Sequence, residues 1–193
     1  RQQHGLEEHA DLDVGVLKEI VGLFKQIHLP PDNPWTQLEN PIGAVFSSWN
    51  NPRAQTYRRL NDIPDSIGTA VIIQAMVFGN MGQNSGSGIA FTRNPSTGEK
   101  EFFGEYLMNA EGEDIASGRR TPRGLDEFKE ESPILYNQLF QLQKTLEEHY
   151  RDMQDLEFTI QENRLYLVQT RTAKRTAKAA VKIAVDLVNE GLI

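Results

Sequence analysis

The stretch from Asp155 to Arg171, DLEFTIQENRLYLVQTR, gathers two carboxylates, an amide and a guanidinium at spacings that could do chemistry. Apolar and polar residues alternate on both sides of the polar cluster Gln161-Glu162-Asn163-Arg164, which predicts two strands joined by a turn. On the first strand Leu156, Phe158 and Ile160 share one face, and Asp155, Glu157 and Thr159 share the other. On the second, plain alternation puts Tyr166 and Val168 on one face and Leu165, Leu167, Gln169 and Arg171 on the opposite one. A two-residue loop at Glu162-Asn163 would set Glu157 opposite Val168 and scatter the polar groups. An odd-numbered loop, with Asn163 at the φ > 0 position, puts Asp155, Glu157, Gln169 and Arg171 on one face, with Phe158 and Val168 buried on the other. The odd-numbered loop is the register preferred on these grounds. Such a face suits a hard cation bound to a polyphosphate: Mg²⁺ takes oxygen ligands, keeps several waters and shares phosphate oxygens, and Arg forks onto phosphate. The same residues also read as a surface ribbon with an Asp-Arg cross-strand pair.

The elements that must position this hairpin belong to a chain of 193 residues, enough for one or two compact domains. A net charge of -7 argues against a nucleic-acid binder held by a basic face. Without cysteine neither a disulfide framework nor a thiolate metal site is possible. No apolar run approaches membrane-spanning length and no signal peptide is visible, so a soluble intracellular protein is expected. The chain starts with Arg rather than Met and is expected to be a piece of a longer one.

Residues 1 to 10 are polar and expected to fray. A helix is predicted from about Asp13 to Ile27, with Val16, Leu17, Ile20, Val21, Phe24 and Ile27 at helical spacing, ended by Pro30, Pro31 and Pro34. Trp35 to Asn40 is expected to form a short turn or helix. Asn50-Asn51-Pro52 caps a helix from about Pro52 to Leu60, in which Arg53, Arg58 and Arg59 make a solvated basic patch. The near-continuous apolar run TAVIIQAMVF, Thr69 to Phe78, predicts a strand buried on both faces. The glycine-rich stretch 79 to 88 lacks the Lys-Ser/Thr ending of a P-loop and reads as a loop entering the next strand. Strands are predicted at Gly88 to Thr92 and Glu99 to Met108, linked by the turn Asn94-Pro95-Ser96-Thr97-Gly98. Thr121-Pro122 and Ser132-Pro133 each look like a helix start. The second opens a long helix to about Asp152 with Leu135, Leu139, Leu142, Leu146 and Met153 on one stripe, covering the sheet. A last helix runs from about Thr172 to Glu190 with an Ala/Val face. The histidines His4, His9, His28 and His149 form no metal-ligand spacing.

Together with the string VIIQAMVFGNMGQNSGSGIAFTRNPSTGEKEFFGEYLMNAEGEDIASGRRTP from Val71 to Pro122, the hairpin resembles the nucleotide-binding region of the pyruvate, phosphate dikinases, an ATP-grasp family. The likeness runs from about Asp11 to the C-terminus and includes GAVFSSWNNPRAQTYRR at 43 to 59 and QTRTAKRTAKAA at 169 to 180. It implies an α+β, partial ATP-grasp fold, an antiparallel sheet covered by helices with helical N- and C-terminal segments. In that scheme residues 1–30 are a helical segment of a preceding subdomain, 31–77 part of the first lobe, 78–171 the C-terminal lobe and 172–193 the start of a linker helix. The resemblance further implies an enzyme converting ATP, phosphate and pyruvate to AMP, pyrophosphate and phosphoenolpyruvate, with this segment presenting Mg-ATP to a phosphate-carrying histidine.

By the same resemblance Glu157 and Gln169 bind Mg²⁺ with the nucleotide phosphates, and Arg171 neutralises charge on the transferring group. Asp155 assists, Gln74 or Met76 lies near the base, and Glu113 of NAEGED falls in the nucleotide cleft. A homodimeric, cytoplasmic parent is implied. None of the four histidines stands in the family's phosphate-carrying motif, so that step falls outside this sequence. A sister enzyme, phosphoenolpyruvate synthase, is the alternative within the class, although NPSTGE and NAEGED favour the dikinase. A non-catalytic binding or structural module is the alternative outside it.

Overall fold

The computed structural model describes residues 13–27, 29, 31–118 and 120–193. The fraying expected at residues 1 to 10, and the positions of Arg119, Pro30, His4, His9 and His28, lie outside them. The chain divides into two compact units, Arg1–Gln74 and Ala75–Ile193.

In the first unit α1 (Val14–Ile27) begins where the sequence predicts. The Asp13 carboxylate accepts the Gly15 and Val16 amides at 2.6 and 3.0 Å, capping amides that have no partner within the helix. Its apolar stripe is left open, with Phe24 and Ile27 both largely exposed. The short element expected at Trp35 to Asn40 is instead a full helix, α2 (Pro34–Ser48), because Asn33 caps it, Pro34 suits the first turn and the helix continues past Pro41. Helix α3 (Pro52–Leu60) is capped by Asn51, whose side-chain oxygen accepts the Ala54 amide at 2.8 Å. The basic patch foreseen on α3 breaks up at Arg58. That guanidinium is buried, lies 3.9 Å over the Trp49 ring, and donates to Asp65 and to the Trp49 carbonyl.

The buried strand expected at Thr69 to Phe78 does not form. This run is unpaired, and Ile72 and Met76 are 84% and 74% exposed. A strand is held by a neighbour's backbone, and among the described residues none is aligned with it. At its end, within the second unit, the Phe78 amide donates to the Gln161 side-chain oxygen at 2.9 Å.

The second unit is built on a five-stranded antiparallel sheet in the order β3-β2-β1-β4-β5. Its strands are β1 (Gly86–Phe91), β2 (Phe103–Met108), β3 (Arg123–Gly124), β4 (Gln154–Gln161) and β5 (Arg164–Thr172). Strand β1 thus starts earlier than predicted and β2 later, with Glu99 to Phe102 in the connection. That connection turns on Asn94, whose side chain accepts the Ser96 and Thr97 amides. Glycine is required at Gly88, where a Cβ would collide with the Phe158 ring on the neighbouring strand.

One face of the sheet packs under α5 (Leu125–Glu131) and α6 (Pro133–Tyr150), giving a core of Ala90, Tyr106, Phe128, Leu139, Leu156, Phe158 and Ile160. Thr121-Pro122 opens no helix. The following residues Arg123 and Gly124 pair with Tyr106 and Glu105 at the edge of β2, and α5 starts one step later with Gly124 as its cap. Met153 is not on the α6 stripe, because α6 ends at Arg151 in a left-handed turn (φ 53°) and Met153 joins a second cluster. There it meets Ala179, Ile183 and Leu187 of α7 (Ala177–Asn189). Helix α7 starts later than Thr172 because β5 runs to that residue and the Thr176 hydroxyl caps the helix. Its buried face is the Ala/Ile/Leu one, while Val181, Val185 and Val188 point outward.

A feature that the sequence does not announce ties these layers together. Arg93, just after β1, is wholly buried and donates to Glu147 on α6 at 2.7 Å and to Glu190 after α7 at 2.8 Å. Burial works against its charge, but the hydrogen bonds with Glu147 and Glu190 outweigh it and hold the guanidinium pKa above the ordinary value.

Candidate functional site

On the face of the sheet opposite α5 and α6, alternation along β4 presents Asp155, Glu157 and Thr159. The β4–β5 turn is the two-residue loop that the sequence argument set aside. Glu162 and Asn163 both have positive φ, 50° and 61°, as a type I′ hairpin turn requires, and Gln161 pairs with Arg164. From there Thr159 faces Tyr166 and Phe158 faces Leu167, so plain alternation would bring Val168 opposite Glu157. A β-bulge prevents it. Val168 is the extra residue on β5, and beyond it Glu157 pairs with Gln169 and Asp155 with Arg171.

The four polar groups therefore share one face, as expected, but a bulge rather than an odd-numbered loop puts them there. Two corrections follow for β5. Leu165 and Leu167 pair with Ile160 and Phe158 on the core side, not with the side bearing Gln169 and Arg171. Val168, expected to be buried, is 40% exposed, because a bulged residue is released from the pleat. The glycine-rich loop holds the turn in place: the Asn163 amide donates to the Asn84 carbonyl at 2.9 Å and the Glu162 amide to the Ser85 hydroxyl at 3.0 Å.

Arg171 Nε donates to Asp155 Oδ2 at 2.8 Å, and its Nη2 lies 3.6 Å from Glu157 Oε1. The hydrogen bond to Asp155 raises the guanidinium pKa, so the group stays charged. Asp155 is buried, and its second oxygen, Oδ1, has no hydrogen-bond partner among the described residues. A buried acceptor without a donor is costly, so Asp155 Oδ1 is an unmet acceptor at the hairpin face. Among the described residues no three His, Cys, Asp or Glu side chains gather as a metal cage. Two carboxylates and an amide oxygen fit Mg²⁺ only in the form that cation prefers, with water and phosphate oxygens completing its shell.

Beyond Thr159 on the same face lies a cavity of about 230 Å³ lined by Met76, Gly79, Ser87, Glu111, Glu113 and Thr159, among others. Met76 and Glu113 are thus brought to one place, next to the hairpin face. Gln74 falls in the first unit, is exposed, and is not among the lining residues. Ser87 was not singled out in the sequence, and Thr159 was placed on the polar face without a role. The signal for Thr159 is its place in the Asp155-Glu157-Thr159 alternation. A larger cleft of about 620 Å³, lined by Phe102, Phe140, Gln143, Glu147 and Glu190 among others, shares no residue with the hairpin face.

An antiparallel sheet covered on one side by helices, with an oxygen-donor face on the other, is an α+β fold of ATP-grasp type. The chain belongs to the family described as pyruvate phosphate dikinase, AMP/ATP-binding domain, whose model matches residues 33–137 and 129–191. It is 52% identical over 199 residues to pyruvate, phosphate dikinase 1, chloroplastic, of Zea mays, covering 100% of this chain and 21% of that protein. It is 51% identical over 200 residues to pyruvate, phosphate dikinase of Clostridium symbiosum, covering 100% of this chain and 23% of that protein. Identity to the chloroplastic dikinase 1 of Arabidopsis thaliana is 51% over 199 residues, with 100% and 21% covered. The chain spans about a fifth of the length of these relatives. No helix among the described residues is long and apolar enough to cross a membrane.

Proposed function

We propose that this chain is the Mg-ATP-holding part of a pyruvate, phosphate dikinase, an enzyme that converts ATP, phosphate and pyruvate to AMP, pyrophosphate and phosphoenolpyruvate. The observation that carries the reading is the bulge at Val168, which gathers Asp155, Glu157, Gln169 and Arg171 on one strand face. A bulge that re-aims side chains in this way is found next to active sites more often than elsewhere. Glu157 and Gln169 would hold Mg²⁺, and the metal when bound would neutralise charge on the nucleotide phosphates.

Arg171 forks onto the group being transferred and stabilises its charge, while Asp155 orients the guanidinium before the nucleotide arrives. Phosphoryl chemistry asks chiefly for positioning and electrostatics, and these side chains supply both. Met76 flanks the base and Glu113 closes the cleft. Gln74 is assigned to the base only through the family likeness. The histidine that takes up the phosphoryl group, the pyruvate site and a homodimer contact belong to the longer protein, located in the cytoplasm or, as the plant relatives' names indicate for them, in a chloroplast.

The test is turnover in the full-length protein that carries this chain, followed as AMP and phosphoenolpyruvate. Glu157→Gln is expected to lower turnover by about a hundredfold or more while leaving the fold intact. Near-normal turnover would overturn the assignment of the hairpin face. The chain alone is expected to bind Mg-ATP without any net reaction, because groups that act as a unit lose nearly all their rate when separated.

A further inference from the structure

The cavity beyond Thr159 has a polarity that the phosphate-binding reading leaves unused. Ser87 and Thr159 face each other across β1 and β4, with their hydroxyls 3.5 Å apart. The Ser87 hydroxyl donates to the Ala110 carbonyl at 3.0 Å. A hydroxyl has one proton, and a carbonyl can only accept, so the Ser87 proton is committed there. Any proton in the contact between the two hydroxyls then comes from Thr159, and the lone pairs of Thr159 Oγ1 are left free for a donor in the cavity that it lines. Glu111 and Glu113 are among the residues that line the same space, and one Glu111 oxygen accepts from Asn80 at 2.8 Å. These side chains offer acceptors. Such a pocket rejects a phosphate and takes a group that brings its own hydrogen-bond donors.

Thr159 stands two residues along β4 from Glu157, about 7 Å at the usual rise of an antiparallel strand. That is one structural unit away from a metal-bridged phosphate pair, where a nucleotide carries its sugar. Gly79 fixes the wall on the other side: a Cβ there would run into the Ala110 carbonyl and the Ser87 hydroxyl, so the backbone comes close enough to shape a small space.

Resting on the Mg-ATP reading, we propose that Thr159, beside Ser87, is a specificity-determining residue that accepts a hydrogen bond from a sugar hydroxyl of the nucleotide and so favours ATP over the deoxy analogue lacking that hydroxyl. The Thr159 oxygen accepts the sugar O–H, and the Ser87–Ala110 bond, by committing the Ser87 proton, leaves that oxygen available to it.

The test is binding of ATP, 2′-deoxy-ATP and 3′-deoxy-ATP to the full chain in Mg²⁺, with a thermal melt of each variant. The native chain is expected to bind ATP about fivefold to tenfold more tightly than the analogue lacking the hydroxyl that is read. Thr159→Val should bring ATP down to that level and leave the deoxy analogue unchanged, and Thr159→Ser should restore the difference. Equal binding of all three nucleotides by the native chain would overturn the proposal without any variant having to fold. So would an equal loss for all three in Thr159→Val. Failure of the native chain to bind any of the three would instead bring down the Mg-ATP reading, and this proposal with it.

Discussion

Arg93 and Arg171 both sit against carboxylates, 2.7 Å from Glu147 and 2.8 Å from Asp155, yet the first side chain is wholly buried and 54% of the second is exposed. Around Arg93 the hydrogen bonds close on themselves. The guanidinium is gripped by Glu147 and Glu190, Glu147 also accepts from the Thr92 hydroxyl, and Lys100 adds a contact to Glu190. Around Arg171 they do not close. Among the described residues Asp155 keeps a buried oxygen with no partner, Glu157 is only approached at 3.6 Å, and Gln169 is exposed beside it. An arginine–carboxylate pair is a clasp in one place and a set of free valences in the other. What separates them is whether the neighbouring elements complete the hydrogen bonds, which no count of charges in the sequence reveals.

The comparison is broken most severely at the clasp. Arg93→Ala should destabilise the chain by about 3 to 5 kcal/mol, because it leaves Glu147 buried without a counter-charge and Glu190 with Lys100 alone. In a thermal melt that is a fall of about 10 °C. A shift below about 2 °C would mean that the cluster is not holding the layers together.

Next comes the bulge. Inserting one alanine after Val168 puts the new residue opposite Glu157 when the bulge is kept and moves Gln169 and Arg171 opposite Leu156 and Gln154, so Mg-ATP affinity should drop by about tenfold or more. Unchanged affinity would show that the register around Val168 does not assemble the site.

Arg171→Ala sharpens the contrast from the other side. Its side chain is about half in solvent but its partner Asp155 is buried, so its loss should lower the melting temperature by about 5 °C or less, well short of the fall expected for Arg93→Ala. Turnover of the full-length protein should fall about a hundredfold or more. A pronounced fall in melting temperature with near-normal turnover would reverse the roles given to the two arginines.

The smallest effect is a pH dependence at the clasp. The hydrogen bond from Arg93 holds the Glu190 carboxylate at about 2, below its ordinary 4.5. A depressed carboxylate stabilises the fold above its unfolded pKa, and that contribution disappears as pH falls toward the folded value. The melting-temperature gap between the native chain and Glu190→Gln should therefore be full above about pH 5 and shrink steadily toward pH 2. A gap that is constant across that range would remove the charge from the explanation.

Much of the second unit was legible because its signals are local. Alternation in 155 to 160 and the leucines of α6, like the Asn51 cap in the first unit, each follow from nearest neighbours in sequence. The polar face was legible for the same reason, although its register was reached by the wrong turn: Glu162-Asn163 makes the two-residue loop, and the compensating bulge at Val168 has no glycine or proline to announce it. Thr69 to Phe78 was misread because an apolar run says that a segment wants burial and not which strand will supply it. Arg93 was passed over because its partners lie more than 50 residues away, at Glu147 and Glu190, where only the folded layers bring them together.

The most direct test of the hairpin face is a titration of the full chain with ATP, with and without Mg²⁺, repeated for Glu157→Gln. Saturable binding that needs Mg²⁺ and weakens by about tenfold or more in the variant is the predicted result. Binding indifferent to both the metal and Glu157, or no binding by the native chain, would contradict the claim that Asp155, Glu157, Gln169 and Arg171 form a nucleotide-phosphate site.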